Sequence, residues 1–155
     1  MALGKGTDGI FVPGQHKNVI QSVGATRTLK ANESGSLCLL DRAAGVVYTL
    51  PEPIVGMSFE FLASVSVTSN AYKVITNAAT VFLKGGIIMG DVTVAQSGDY
   101  FEANGTTHVA ISANGSTTGG LLGERYAVTC TSTTQWVIHG VCHGAGTLAD
   151  PFATS

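Results

Sequence analysis

A period of two, interrupted by two prolines, is the strongest constraint in this sequence. In Val46-Val47-Tyr48-Thr49-Leu50, the residues Val46, Tyr48 and Leu50 fall on one side of an extended chain. Pro51 and Pro53 then stop the ladder, because proline has no N–H to donate. Gly56 lets the backbone turn back. The alternation resumes with Met57, Phe59, Phe61, Val65 and Val67 on one face and Ser58, Glu60, Ser64, Ser66 and Thr68 on the other. This pattern predicts strand, proline corner and a long strand over Met57–Thr68 with one dry face.

Strand signals continue on both sides of this unit. Thr26–Lys30 alternates, Glu33-Ser34-Gly35 is a turn, and Ser36–Arg42 is a Leu-rich strand. Ser69-Asn70 turns into Tyr72–Thr76. Strands are predicted over Val81–Lys84, Ile87–Met89 and Val92–Val94, with Gly85-Gly86 and Gly90-Asp91 as turns between them. Asn104-Gly105 and Asn114-Gly115 are hairpin signals, since both residue types tolerate positive φ. The last hairpin pairs Glu124–Thr131 with Gln135–Val141. It places Tyr126, Val128 and Cys130 on one face, with Trp136 and Ile138 on the same core. Nowhere does a helical period persist.

These strands, closely spaced and separated by turns, predict a single all-β domain, an antiparallel β-sandwich of jelly-roll type over residues 26–143. Residues 1–25, rich in Gly, read as an extended N-terminal arm carrying the apolar knot Ile10-Phe11-Val12-Pro13. Residues 144–155 read as a tail carrying Phe152.

Composition limits the function classes. Charged residues are only 12 % of the 155, about half the usual share. So little charge is poor protection for a free monomer, which favours an assembly whose neighbours cover the surface. The net charge of −2 and the absence of a basic run give no footprint for nucleic acid. No apolar run approaches the ~20 residues of a membrane helix. The opening Met1–Gly6 does not read as a signal peptide, so Cys38, Cys130 and Cys142 are expected to be reduced.

No catalytic, metal or cofactor site is predicted. His139-Gly140-Val141-Cys142-His143 clusters soft ligands, but in a strand Cys142 faces away from His139 and His143, and a fourth ligand is missing. The histidines sit in no triad signature, and Gly-x-Ser-x-Gly is absent. The acids Asp8, Asp41, Asp91, Asp99, Asp150, Glu33, Glu52, Glu60, Glu102 and Glu124 are scattered, most at turns or exposed positions. Asn32, Asn104 and Asn114 head glycosylation sequons, but two of them are Asn-Gly turns with a sufficient structural reason. Gly119-Gly120-Leu121-Leu122-Gly123 lacks the Lys and following helix of a phosphate cradle.

Three segments together resemble small structural proteins of tailed bacteriophages, the capsid decoration or cement proteins. They are Tyr48-x-Leu50-Pro51-x-Pro53-x-x-Gly56-x-x-Phe59-x-Phe61, the Gly- and Thr-rich run around Asn104-Gly105-Thr106-Thr107, and Tyr126-x-Val128-x-Cys130 followed by Gln135-Trp136-x-Ile138-x-Gly140. The resemblance spans roughly Val46 to Val141. It implies a non-enzymatic virion protein, made in the host cytoplasm and bound as a homotrimer to the outer capsid surface. There it would clamp neighbouring major capsid subunits without nucleic-acid or membrane contact. Ile10, Phe11, Val12 and Pro13, and more weakly Phe152, are the expected docking residues. A phage fibre or tail domain is the structural alternative. A carbohydrate-binding module is the other, and would need exposed aromatics such as Tyr100 or Trp136.

Overall fold

The computed structural model describes residues 17–155. In chain order its strands are β1 (Val19–Ile20), β2 (Thr26–Thr28), β3 (Leu37–Leu40), β4 (Val46–Thr49), β5 (Ser58–Ala63), β6 (Tyr72–Ile75), β7 (Phe82–Asp91), β8 (Gly98–Asn104), β9 (Ala110–Ala113), β10 (Arg125–Ser132), β11 (Gln135–Gly144) and β12 (Phe152–Ala153). Among the described residues a single 3-10 turn covers Ala31–Glu33. Two sheets enclose one core. The larger runs β1-β3-β5-β10-β11-β7-β8 and the smaller β12-β9-β6-β4-β2.

From β1 to β7 the chain changes sheet at every step. The proline corner is one such crossing, carrying β4 of the small sheet into β5 of the large one, and both prolines are buried there. Among β1–β6, strands two apart in sequence therefore lie side by side and run the same way. β3 is parallel to β1 and β5, and β4 is parallel to β2 and β6, like successive windings of a flattened coil. Only then do hairpins appear: β7 with β8 and β10 with β11. The all-β sandwich expected from the sequence is present, but its sheets are mixed. Five of the ten strand pairings among the described residues are parallel, including β7 with β11. Jelly-roll connectivity, built of antiparallel keys, does not describe β1–β6.

The core is aromatic at its centre. Tyr48, Tyr72, Tyr126, Phe59, Phe61 and Trp136 are all buried. Phe61 stacks on Tyr126 at 5.4 Å between centroids and meets Tyr48 edge-on at 5.7 Å. Each such ring contributes roughly 2–3 kcal/mol by leaving water. The tyrosines also tie the layers together. From the small sheet the Tyr48 hydroxyl donates to the Leu39 carbonyl in β3 at 2.9 Å, and that of Tyr72 donates to the Val65 carbonyl at 2.9 Å. The three cysteines are buried and unpaired, as small core residues.

Several sequence expectations change. The long strand after the corner ends at Ala63, and the chain bends through Ser64-Val65, so Val65 is exposed while Val67 returns to the core. Gly85-Gly86 is no turn. β7 runs straight through it, and Val92 and Val94 are exposed beyond its end. These glycines serve close approach: a Cβ on Gly85 would lie 2.4 Å from the Ile138 carbonyl, and one on Gly86 2.4 Å from the Tyr100 hydroxyl. Asn104-Gly105 and Asn114-Gly115 do turn the chain, but each carries it between sheets and closes no hairpin. The side-chain oxygen of Asn104 accepts the Thr106 and Thr107 N–H groups at 2.9 Å, and that of Asn114 accepts the Ser116 N–H at 2.8 Å. Within the region assigned to the arm, Val19–Ile20 joins the large sheet. Within the tail, Phe152–Ala153 joins the small one.

Candidate functional site: the outward face of the large sheet

Alternation along each strand of the large sheet sends one set of side chains into the core and the other outward. On β11, Trp136, Ile138 and Cys142 face in, so Val137, His139, Val141 and His143 face out. On β7, Ile87 and Met89 face in and Ile88 faces out. The register then aligns outward residues across neighbouring strands. Leu39 pairs with Leu62, Leu62 with Arg125, Arg125 with Val141, Val141 with Ile88, and Ile88 with Tyr100. The result is one row across six adjacent strands, apolar except for Arg125. At about 4.8 Å per strand it is roughly 24 Å long. Its far half is the most open: Val141 is 48 %, Ile88 57 % and Tyr100 62 % exposed.

The next row is polar at its centre. Glu60 accepts hydrogen bonds from the Lys17 ammonium on one side and the Arg125 guanidinium on the other. The Lys17 ammonium, helped by Arg125, holds the Glu60 carboxyl below the usual carboxylate range against a desolvation that pushes the other way. Lys84 and Glu102 pair across β7 and β8 at 2.6 Å. Between Glu60, Arg125, Ala127, His139 and Val141 lies a shallow hollow of about 320 Å³. A ridge of aliphatic side chains beside a compensated polar cluster can seat a partner with little desolvated charge. The described residues bring no nucleophile, base and acid together there.

Of the residues singled out in the sequence, Ile10, Phe11, Val12 and Pro13 lie outside the described residues. Phe152 is 7 % exposed and stacks on His108 at 5.8 Å, so its ring is occupied within this domain. Trp136 is fully buried, which leaves Tyr100 as the exposed one of the two aromatics considered for sugar binding. His139 and His143 point outward and Cys142 inward, and no three His, Cys, Asp or Glu side chains converge among the described residues. No described helix is long and apolar enough to cross a membrane.

Two features escaped the sequence reading. The outward row needs strand order, which periodicity cannot supply. Glu124, grouped there with scattered acids, is completely buried. A signal for it existed: Glu124 is in phase with Tyr126, Val128 and Cys130 on the core face. Desolvation drives its carboxyl up to about 7, although the Gly120, His143 and Leu121 N–H groups favour the anion.

No family model matches the chain, and no curated protein or solved structure matches it either.

Proposed function

We propose that this chain is a structural virion protein that binds the outside of an assembled phage capsid and stabilises it by clamping neighbouring major capsid subunits. The observation that carries the reading is the apolar row Leu39–Leu62–Arg125–Val141–Ile88–Tyr100, which spans the outward face of the large sheet. Burying such a ridge contributes about 25 cal/mol per Å² before the costs of association. Many copies, each touching several subunits, would add multivalency. In this reading the protein acts as homotrimers on the capsid exterior, with Ile10–Pro13 as a second contact. The mechanism is binding energy alone, with no catalytic step. Tyr100, a lone exposed aromatic in a row of aliphatic residues, gives a sugar platform less support.

Co-sedimentation with expanded, undecorated phage capsids, with a mass measurement in solution, tests the proposal. Saturable binding and a trimeric mass are expected. The variant Ile88→Asp/Val141→Asp, altered only at exposed positions, should fold and lose binding. No binding by the unaltered protein would overturn the capsid reading. Undiminished binding by the variant would overturn the face assigned to it.

A further inference from the structure

The loop from Asn114 to Gly123 joins β9 of the small sheet to β10 of the large one, and it is held from three sides. The Gly120 carbonyl accepts the Val67 N–H at 2.9 Å, and the Leu122 N–H donates to the Ser66 hydroxyl at 2.9 Å. On its far side Ser116 and Thr117 accept the Ala145 and Ala149 N–H groups at 3.0 and 2.9 Å, which fastens the segment leading to β12. The third hold is Glu124. Its Oε2 accepts the Gly120 N–H at 2.7 Å and the His143 and Leu121 N–H groups also face the carboxyl, while among the described residues its Oε1 is buried with no partner within hydrogen-bond reach. Gly119 and Gly120 have φ of +92° and +96°, and a Cβ on Gly119 would stand 2.9 Å from Glu124 Oε2. The backbone is thus pressed directly onto the carboxyl.

Among the described residues the carboxyl has no counter-ion. The titratable groups around it are Tyr126 on its own strand, Cys142 and His143 on β11, and Tyr72 on the small sheet. Burial holds Tyr126, Cys142 and Tyr72 in their neutral forms, and the His143 side chain lies on the outward face of β11. The loop carries no charged side chain, and the one on β5, Glu60, lies on the outward face paired with Lys17 and Arg125; β5 meets Glu124 through the Ala63 N–H, which donates to its carbonyl at 3.0 Å. A neutral carboxylic acid is tolerated in such a place far better than an unpaired carboxylate.

We propose that loop 114–123 is a pH-gated clamp: protonated Glu124 holds it shut, and ionised Glu124 loosens it together with the 145–151 segment that it fastens. The carboxyl of the opened loop titrates near 4.5 and that of the closed loop near 7. The open fraction therefore rises about tenfold per pH unit between those limits and levels off above 7.

Amide hydrogen exchange, corrected for the intrinsic pH dependence of exchange, reads this directly. At Gly120, Ala145 and Ala149, protection should fall by about fortyfold between pH 5 and 7, and should stay flat in Glu124→Gln. A flat wild-type profile, or an equal fall in Glu124→Gln, would overturn the clamp. Should Glu124→Gln fail to fold, carboxyl NMR titration of the wild type decides. A midpoint near 7 together with the wild-type fall in protection supports the clamp, and one near the ordinary Glu value overturns it.

Discussion

Replacing Tyr48 by Phe removes a single oxygen and probes how the two layers are joined. The ring is fully buried and packs on Phe61, so its apolar contacts survive the change. The hydroxyl donates to the Leu39 carbonyl at 2.9 Å. Along β3 the Ser36 and Leu40 carbonyls accept the Glu60 and Ser64 N–H groups on the β5 side. The Leu39 carbonyl therefore points toward β1, whose pairing stops at Cys38. Tyr48 supplies the donor that the short edge strand does not reach. Without it, a half-buried carbonyl is left unsatisfied, and the lost bond and the desolvation together cost about 2 kcal/mol. In a domain of this size that lowers Tm by about 4–8 °C. Urea denaturation followed by fluorescence of Trp136, the sole tryptophan and a fully buried one, measures it. The m-value should not change, since the same surface is exposed on unfolding. A loss below about 0.5 kcal/mol would refute the argument that this hydroxyl stands in for a strand.

Glu124 has a folded pKa raised from 4.5 to about 7, so wild-type stability is greatest below 4.5 and falls as pH rises toward 7. Glu124→Gln should therefore gain on the wild type by about 3 kcal/mol between pH 4.5 and 8, measured by denaturation at each pH; a constant difference would contradict this. Burial raises Cys38 to about 12 and pushes Cys130 and Cys142 upward as well, so a disulfide reagent at pH 8 should modify none of the three thiols before unfolding. Gly140→Ala would place a Cβ 2.4 Å from the Arg125 carbonyl and the Tyr126 Cα, prising β10 from β11. A loss of about 1–3 kcal/mol is expected, and a neutral result would mean that the hairpin yields there.

How much could be read from the sequence follows the range of the interactions. The alternation around Tyr48, Phe59 and Phe61 and the closing hairpin with Trp136 are local patterns, and both appear where expected. The proline corner was legible as a break but not as a crossing between sheets, because Pro51 and Pro53 say where a ladder stops and nothing about where the chain goes next. Parallel pairing of β3 with β5 leaves no mark in either strand, since both alternate as antiparallel strands would. Gly85-Gly86 misleads for a related reason. A glycine needed for a turn and one needed for close approach look identical until Ile138 and Tyr100 are in place. The candidate face was invisible for the same cause: Val141, Ile88 and Tyr100 are far apart in sequence and become neighbours only through β11-β7-β8 order.

The winding of β1–β6 between layers also sets an order of assembly. Val19 must find Leu37, and Val46 must find Tyr72, across long stretches of intervening chain. The hairpins, by contrast, close across short turns at Gly90–Gly98 and Ser132–Gln135. Closing long loops costs entropy before any contact rewards it, so the hairpins should form first and the windings later. β5 lies between β3 and β10, and β10 is made last of the three. A chain leaving the ribosome would thus carry its first half, with the apolar sides of Tyr48, Phe59 and Phe61 uncovered, until β10 and β11 emerge to receive it.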